Sequence, residues 1–302
     1  MAKIVFVIGN GFDIDLGLKA SYTDFANNDE WKVLVDNRKT RYTGRKVNDS
    51  LILFIEKARQ KENWFNIEEL IHNYIISHPK PTNAIVDIAT ADYEDMKSAL
   101  KEYLIRITDN HVLDNNRKSC ILLKRLAGAV IVTFNYTDSL KLCGINGNGL
   151  NVNYTYIHGN LNEGIVLGCD IYDNERVNRP LSFLYKYNML HKTNDLVKSL
   201  RNSSDVIFFG HSVNEMDFGY FRDFFKMVCV PPQPYPKKHL TFITKDEKSM
   251  REIKDNIRNQ GINVTDMYCN LESFDFILTD YVYDDKSEQA NNWKKLLERI
   301  NK

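Results

Sequence analysis

Four short segments of the sequence place small, polar or titratable residues directly after apolar runs. In Ile8-Gly9-Asn10-Gly11-Phe12-Asp13 the glycines let the backbone turn sharply and approach a ligand closely. A helix that follows would aim its first amides at a phosphate. The third glycine of a dinucleotide fingerprint is missing, because Ile14 stands in its place, and a tight strand–helix turn explains the segment equally well. Thr133-Phe134-Asn135-Tyr136-Thr137-Asp138 is a polar cluster at the end of a second apolar run, where open α/β sheets bind ligands. Its plain alternative is a helix cap from Asn135 or Thr137. In Tyr156-Ile157-His158-Gly159-Asn160 the histidine can be a general base in a cleft, or a hydrogen-bonded structural residue. Phe209-Gly210-His211-Ser212, with Asp217 beyond it, is again an apolar end followed by small polar residues. It is no nucleophile elbow, since Asn214 replaces the last glycine of that motif, and Ser212 or Asn214 as a cap is the alternative.

The elements that must position these segments follow from hydrophobic period. Residues 3–8, 128–134 and 205–210 read as buried strands, and 153–158 and 164–168 as shorter ones. His239 to Thr244 and Ile262 to Met267 complete the set. Helices are expected at Met216 to Val228 and at Lys248 to Arg258. A last helix carries Ala290, Trp293, Leu297 and Ile300. Between the first strand and residue 128 the pattern is helical instead: Leu51 to Arg59, Ile67 to Ile76, and Asp92 to Ile107 with Tyr93, Met96, Leu100, Leu104 and Ile107 in one stripe. Pro79 and Pro81 separate the last two. The expected fold is α/β: a Rossmann-like, mostly parallel sheet with a helical insertion after the first strand. Residues 1–302 are read as one domain with the insertion at about 30–125; the rival is a separate helical domain. All four chemical segments then end strands of one parallel sheet and meet at one edge.

Composition excludes several classes. Lys and Arg number 40, as do Asp and Glu, so a nucleic-acid coater, which needs a charge excess, is not expected. The run Arg38 to Lys46 is the one basic stretch, and it reads as a solvated loop. A nuclease would need carboxylates clustered around metal, and the acids are scattered. Five cysteines without a Cys-x-x-Cys pair argue against a disulfide framework and a zinc ribbon, so each is read as a small core residue and no metal is expected. No apolar run approaches the ~20 residues of a membrane span, and the first one is too short for a signal peptide. A cytoplasmic protein is expected. Pro231 to Pro236 reads as a stiff loop.

Taken in order, the segments resemble a known family. Ile8-Gly9-Asn10-Gly11-Phe12-Asp13, Gly17-Leu18 and Ser21-Tyr22-Thr23-Asp24-Phe25 look like the opening of the bacteriophage abortive infection AbiH family. Trp64 with Glu68, Phe134-Asn135-Tyr136-Thr137, Ile157-His158-Gly159 and Gly210-His211-Ser212 with Asp217 follow in that family's order, over roughly residues 3–225. Ala20 stands where the family has threonine. AbiH proteins in turn look distantly like SIR2-like (sirtuin-type) proteins, whose Thr-x-Asn, His-Gly and Gly-x-Ser order fits Thr133-x-Asn135, His158-Gly159 and Gly210-x-Ser212. Deacylating sirtuins carry a four-cysteine zinc ribbon, which this sequence lacks, and their Gly-Ala-Gly is Gly9-Asn10-Gly11 here.

The resemblance implies an antiphage effector that hydrolyses NAD+, as substrate, at the nicotinamide–ribose bond. It makes His158 a base toward water or a ribose hydroxyl and Asn135 an uncharged holder of ribose or water. Gly9, Asn10 and Gly11 would cradle the pyrophosphate, Gly210 and Ser212 face the ribose–phosphate, and Asp217 fix their loop. Asp13 would cap its helix or bind a hydroxyl. Such an activity needs a gate, for which a homo-oligomer or a phage-derived trigger is expected. The alternative is a non-catalytic nucleotide sensor or interaction module in phage defence.

Overall fold

A computed structural model describes residues 4–44, 46–60, 66–146, 150–170, 177–186, 193–230, 237–284 and 286–301. Trp64, Arg45 and the Pro231–Pro236 stretch lie outside them. The chain forms two compact units. One, here the sheet unit, comprises Met1–Leu18, His111–Ile157 and His191–Lys302. The other, the helical unit, comprises Lys19–Asn110 and His158–Leu190.

Six parallel strands make the sheet: β1 (Ile4–Ile8), β2 (Val130–Thr133), β3 (Asn153–Tyr156), β6 (Asp205–Phe209), β7 (His239–Thr244) and β8 (Ser273–Leu278), in the order β3-β2-β1-β6-β7-β8. Among the described residues, β4 (Gly159–Asn160) and β5 (Gly164–Ile165) form a separate antiparallel pair. β1 is central because it alone is apolar from end to end, and Val5 to Ile8 are fully buried. One face of the sheet is an in-register row running Val132, Val7, Phe208, Phe242 and Phe276 across five strands. Phe208 stacks on Phe242 at 4.7 Å and Phe242 on Phe276 at 5.3 Å. Phe221 and Phe225 cover that row, so aromatic burial fixes the register as well as the strand order.

The α/β reading, the parallel sheet and the helical insertion between β1 and β2 hold. Several elements differ. Ile262 to Met267 is no strand: Asn263 caps a helix at Val264–Asn270, and the buried Val264, Met267 and Leu271 recur at helical spacing. The strand that belongs there is β8, disguised by Asp275 in Ser-Phe-Asp-Phe-Ile-Leu. The expected strand at 164–168 is reduced to β5. The helix expected from Met216 to Val228 is two, Glu215–Phe218 and Arg222–Cys229, with Gly219 at the first one's end. In the last helix Leu296, not Leu297, is the buried leucine.

In the helical unit, helices Asp29–Arg41, Leu51–Arg59, Ile67–Ser77 and Asn83–Asp109 pack around Trp31, Ile52, Ile55, Tyr74, Met96 and Leu100. Each has a side-chain cap, from Asn28, Ser50, Asn66 and Thr82. The cap at Thr82 starts the longest helix well before the Asp92 that its apolar stripe suggested. The basic run is not a solvated loop throughout: Arg38 to Arg41 end a helix, and Arg38 is buried in ion pairs with Asp92 and Asp95.

Candidate functional site

The strand order reverses between β1 and β6, and outside the carboxyl ends of those two strands lies the crevice where open α/β sheets take ligands. Two turns meet there. The Gly9 amide donates to the Phe209 carbonyl at 3.0 Å, and the Gly11 amide to that of Gly210 at 2.9 Å. A side-chain carbon on Gly210, whose φ is +65°, would come within 2.3 Å of Gly11 Cα. Glycine is therefore demanded by the contact of one turn with the other. This bears on the expected phosphate cradle, because both amides already serve protein carbonyls. Asn10, the exposed first residue of helix Asn10–Asp15, sits between them.

Beside the paired turns opens a cleft of about 390 Å³, lined by Gly11, Gly210, His211 and Ser212. It is lined as well by residues that no sequence motif marks: Lys245 after β7, Ser249, Thr279 after β8, and Arg117. Lys245 and Thr279 follow strand ends as the four recognised segments do. Thr279 is hidden in the sequence because Asp275 disguises the strand that precedes it.

The loop after β2 is tied to the loop after β1. Asn135 is buried, and its Nδ2 donates to the Gly9 carbonyl at 3.1 Å. Thr137 Oγ1 donates to Asp13 Oδ2 at 2.6 Å, so one carboxylate oxygen of Asp13 already holds a hydroxyl of the protein itself. Asp13 does not cap its helix, where Gly9 supplies no side chain. Asp13 is 1% exposed, and its Oδ1 has no hydrogen-bond partner among the described residues. Burial pushes its carboxyl up to about 6, against the opposing pull of hydrogen bonds from Thr137 and Asn135. The cap that Asn135 or Thr137 might have supplied comes from Asp138, which accepts from the Leu140 and Lys141 amides.

After β6 the chain is strained. Val213, a β-branched residue, has φ +50° with its side chain fully buried. Its amide donates to His211 Nδ1 at 3.0 Å, which assigns the proton of a neutral His211 ring to Nε2. That nitrogen stands 3.7 Å from Asp217 Oδ2, so Asp217 does face this loop. Asn214 caps the helix carrying Asp217, and Ser212 is left exposed at the tip.

A family model described as bacteriophage abortive infection AbiH matches residues 5–232. The chain belongs to the AbiH family. No curated protein matches it. In this AbiH protein the matched stretch holds β1 to β6 and the whole helical unit, whereas β7 and β8, which bring Lys245 and Thr279 to the cleft, lie beyond it.

His158 belongs to the helical unit of this AbiH chain and is buried there. Its carbonyl accepts from the Val166 amide at 2.8 Å across the β4–β5 pair. Gly159 must be glycine, since a side-chain carbon would lie 2.2 Å from the Gly164 carbonyl oxygen. His158 Nε2 is 3.5 Å from Lys186 Nζ, and Lys186 pairs with Glu68 Oε1 at 2.7 Å. Tyr22 donates to the same Glu68 oxygen at 3.2 Å. Only the family pattern marks Glu68, and nothing local in the sequence marks a buried lysine such as Lys186. Among the described residues no cluster of three His, Cys, Asp or Glu is placed to hold a metal ion, and no helix is long and apolar enough to cross a membrane.

Proposed function

We propose that this AbiH protein is a cytoplasmic antiphage effector that binds NAD+ at the carboxyl edge of the sheet and hydrolyses its nicotinamide–ribose bond. The observation that carries the reading is the pair of glycine turns meeting at the switch point beside the cleft. Its volume, about 390 Å³, falls at the small end of the ~300–1,000 Å³ usual for ligand pockets, enough for one nucleotide half. The SIR2-like order of Thr133-x-Asn135, His158-Gly159 and Gly210-x-Ser212 supports the choice of dinucleotide.

The chemistry asks little of an acid. The glycosidic electron pair leaves with nicotinamide, which departs neutral. Water adds to the anomeric carbon and releases one proton. The transition state is a ribosyl oxocarbenium ion, which a site stabilises by position and by keeping positive charge away. Asn135 is proposed to hold ribose or water without charge, and His158 to serve the ribose hydroxyl or the water. Ser212, Gly210 and Asn10 would face the phosphates, through Cα surfaces and the Ser212 hydroxyl in place of the Gly9 and Gly11 amides. Asp217 would hold the Ser212 loop, and Asp13 the turn after β1. Depletion of NAD+ would arrest an infected cell, with self-assembly or a phage-derived trigger as the gate. No metal and no nucleic acid take part in this reading.

A second reading, a nucleotide sensor that does not cut, is favoured by one fact. The Gly9, Gly11 and Asn135 donors are engaged with protein carbonyls. The test is to incubate the purified full chain with NAD+, measure released nicotinamide, and measure binding by calorimetry alongside. Cleavage that falls ~10²–10⁴-fold in His158→Ala, and falls also in Asn135→Ala, with melting temperatures unchanged, is the expected result. Binding without cleavage, including in extracts of infected cells, selects the sensor. Neither binding nor cleavage sinks both.

A further inference from the structure

Cys120 and Cys143 stand 23 residues apart in sequence, and no motif joins them. In the sheet unit their side chains meet. Sγ lies 2.9 Å from Sγ, and both residues are fully buried free cysteines. Non-bonded carbons rest at ~3.5–4.0 Å and sulfur is larger than carbon, so this is no ordinary packing distance. A disulfide bond is ~2.05 Å long, which asks the two sulfurs to close by less than ~1 Å.

The pair joins two segments that hold the same helix. Cys120 lies on helix Lys118–Leu123, where the Ser119 amide and hydroxyl both donate to Asp15 Oδ2, at 2.9 and 2.6 Å. Cys143 ends helix Ser139–Leu142, which follows the loop after β2. That loop holds Gly9 through Asn135 and Asp13 through Thr137. Helix Asn10–Asp15 is thus gripped near its start by one segment and at its end by the other. On the Cys120 side, Arg117 and Asp15 line the cleft. The two thiols are not equivalent. Their hydrogen bond favours the ionised form of Cys120 and, together with burial, keeps Cys143 a thiol. Thiolate is the attacking form, so Cys120 is the sulfur that meets an oxidant and Cys143 the one that resolves it.

We propose that Cys120 and Cys143 are an oxidation site, which a peroxide closes to a disulfide that locks the loop after β2 to helix Lys118–Leu123. This does not depend on the nucleotide reading. The Cys120 thiolate attacks one peroxide oxygen and the O–O bond breaks, giving a sulfenic acid and hydroxide. That hydroxide takes up the proton Cys120 has shed and becomes water. Cys143 sulfur then attacks Cys120 sulfur: the S–S bond forms, the S–O bond breaks, and the departing hydroxide leaves with the Cys143 proton as a second water. The two thiols lose two electrons and the peroxide gains them. Burial keeps bulky oxidants out, and a small one enters by local opening of two helices of six and four residues. A thiol 2.9 Å away captures the sulfenic acid before more peroxide carries it to the irreversible sulfinic acid.

The test treats the reduced, folded full chain with hydrogen peroxide, alkylates the remaining thiols in denaturant, and maps the unreduced digest by mass spectrometry. A Cys120–Cys143 link is expected, two hydrogens lighter than the thiols and reversed by a dithiol reductant. Exposed Cys269 is the reference, because accessibility alone would oxidise it first. Cys120 and Cys143 both still alkylated at a dose that consumes Cys269 overturns the proposal, and this needs no variant to fold. In Cys143→Ser, Cys120 should be trapped as its sulfenic acid, read with dimedone; its absence there overturns the order of attack. The linked protein should exchange the amides of residues 135–143 at least ~10-fold more slowly than the reduced protein. A link that leaves this exchange unchanged overturns the locking role.

Discussion

The two units bury polar groups by different means. At the carboxyl edge of the sheet they are tied to the backbone or to a neighbouring hydroxyl: Asn135 to the Gly9 carbonyl, Asp13 to Thr137, His211 to the Val213 amide. The helical unit buries whole ion pairs instead, Arg38 with Asp92 and Lys186 with Glu68. A parallel sheet brings strand ends to one line, so short local hydrogen bonds are enough to fix its loops. Helices share no such ladder, and long charged side chains reach between them. Position therefore comes from topology in one unit and from electrostatics in the other.

The largest break of that contrast is expected in the helical unit. Asp92 accepts from Arg38, Ser50 and the Ile52 amide, so Asp92→Ala leaves a buried guanidinium without its main partner. A loss of ~3–5 kcal/mol is expected, read as weakened hydrogen-exchange protection in Asn83–Asp109. Loss of protection in the strands first would invert the comparison. Next comes Gly210→Ala, which forces a left-handed alanine against Gly11 and should cost ~2–4 kcal/mol, seen as a lower urea midpoint for the sheet. A change under ~0.5 kcal/mol would mean that the two turns separate freely.

The smallest effect sharpens the comparison through pH. Asp13, raised from 3.8 to about 6 by burial, binds its proton more tightly folded than unfolded. Its contribution is thus fully present below about pH 4 and lost as pH rises through about 6, a span worth at most ~3 kcal/mol. Asp13→Asn should stabilise the sheet unit by ~1–3 kcal/mol at pH 7 and leave it unchanged near pH 4. Equal effects at both values would show that Asp13 acts through packing alone.

The sheet was legible where strands are apolar throughout, as in Ile4–Ile8, or after their first residue, as in Asp205–Phe209, and where glycine marks the turn that follows. It was not legible at β8, whose alternation carries Asp275 within the strand, nor at Val264–Asn270, whose β-branched opening resembles a strand until the Asn263 cap is seen. Of the candidate site, the turns after β1, β2 and β6 were readable because chemistry there is local in sequence. Lys245 and Arg117 reach the cleft from far along the chain, and Lys186 meets Glu68 across the helical unit. Such pairings leave no local trace.

The central place of β1 has a consequence for how the protein is made. Val5 pairs with Val130 on one side and Val206 on the other. At ~5–20 residues per second on the ribosome, the second partner emerges ~10–40 s after the first strand. Lys19–Asn110 leaves the exit tunnel meanwhile, and its four main helices already have one another as neighbours, contacts of a kind that form in micro- to milliseconds. Until Val130 emerges Ile4–Ile8 is a wholly apolar strand with both edges open, and until Val206 emerges one edge stays open, the kind of segment that chaperones shield and that aggregates when they do not. Translation speed across residues 130–209, well downstream of the strand itself, then governs how long the nascent chain stays exposed.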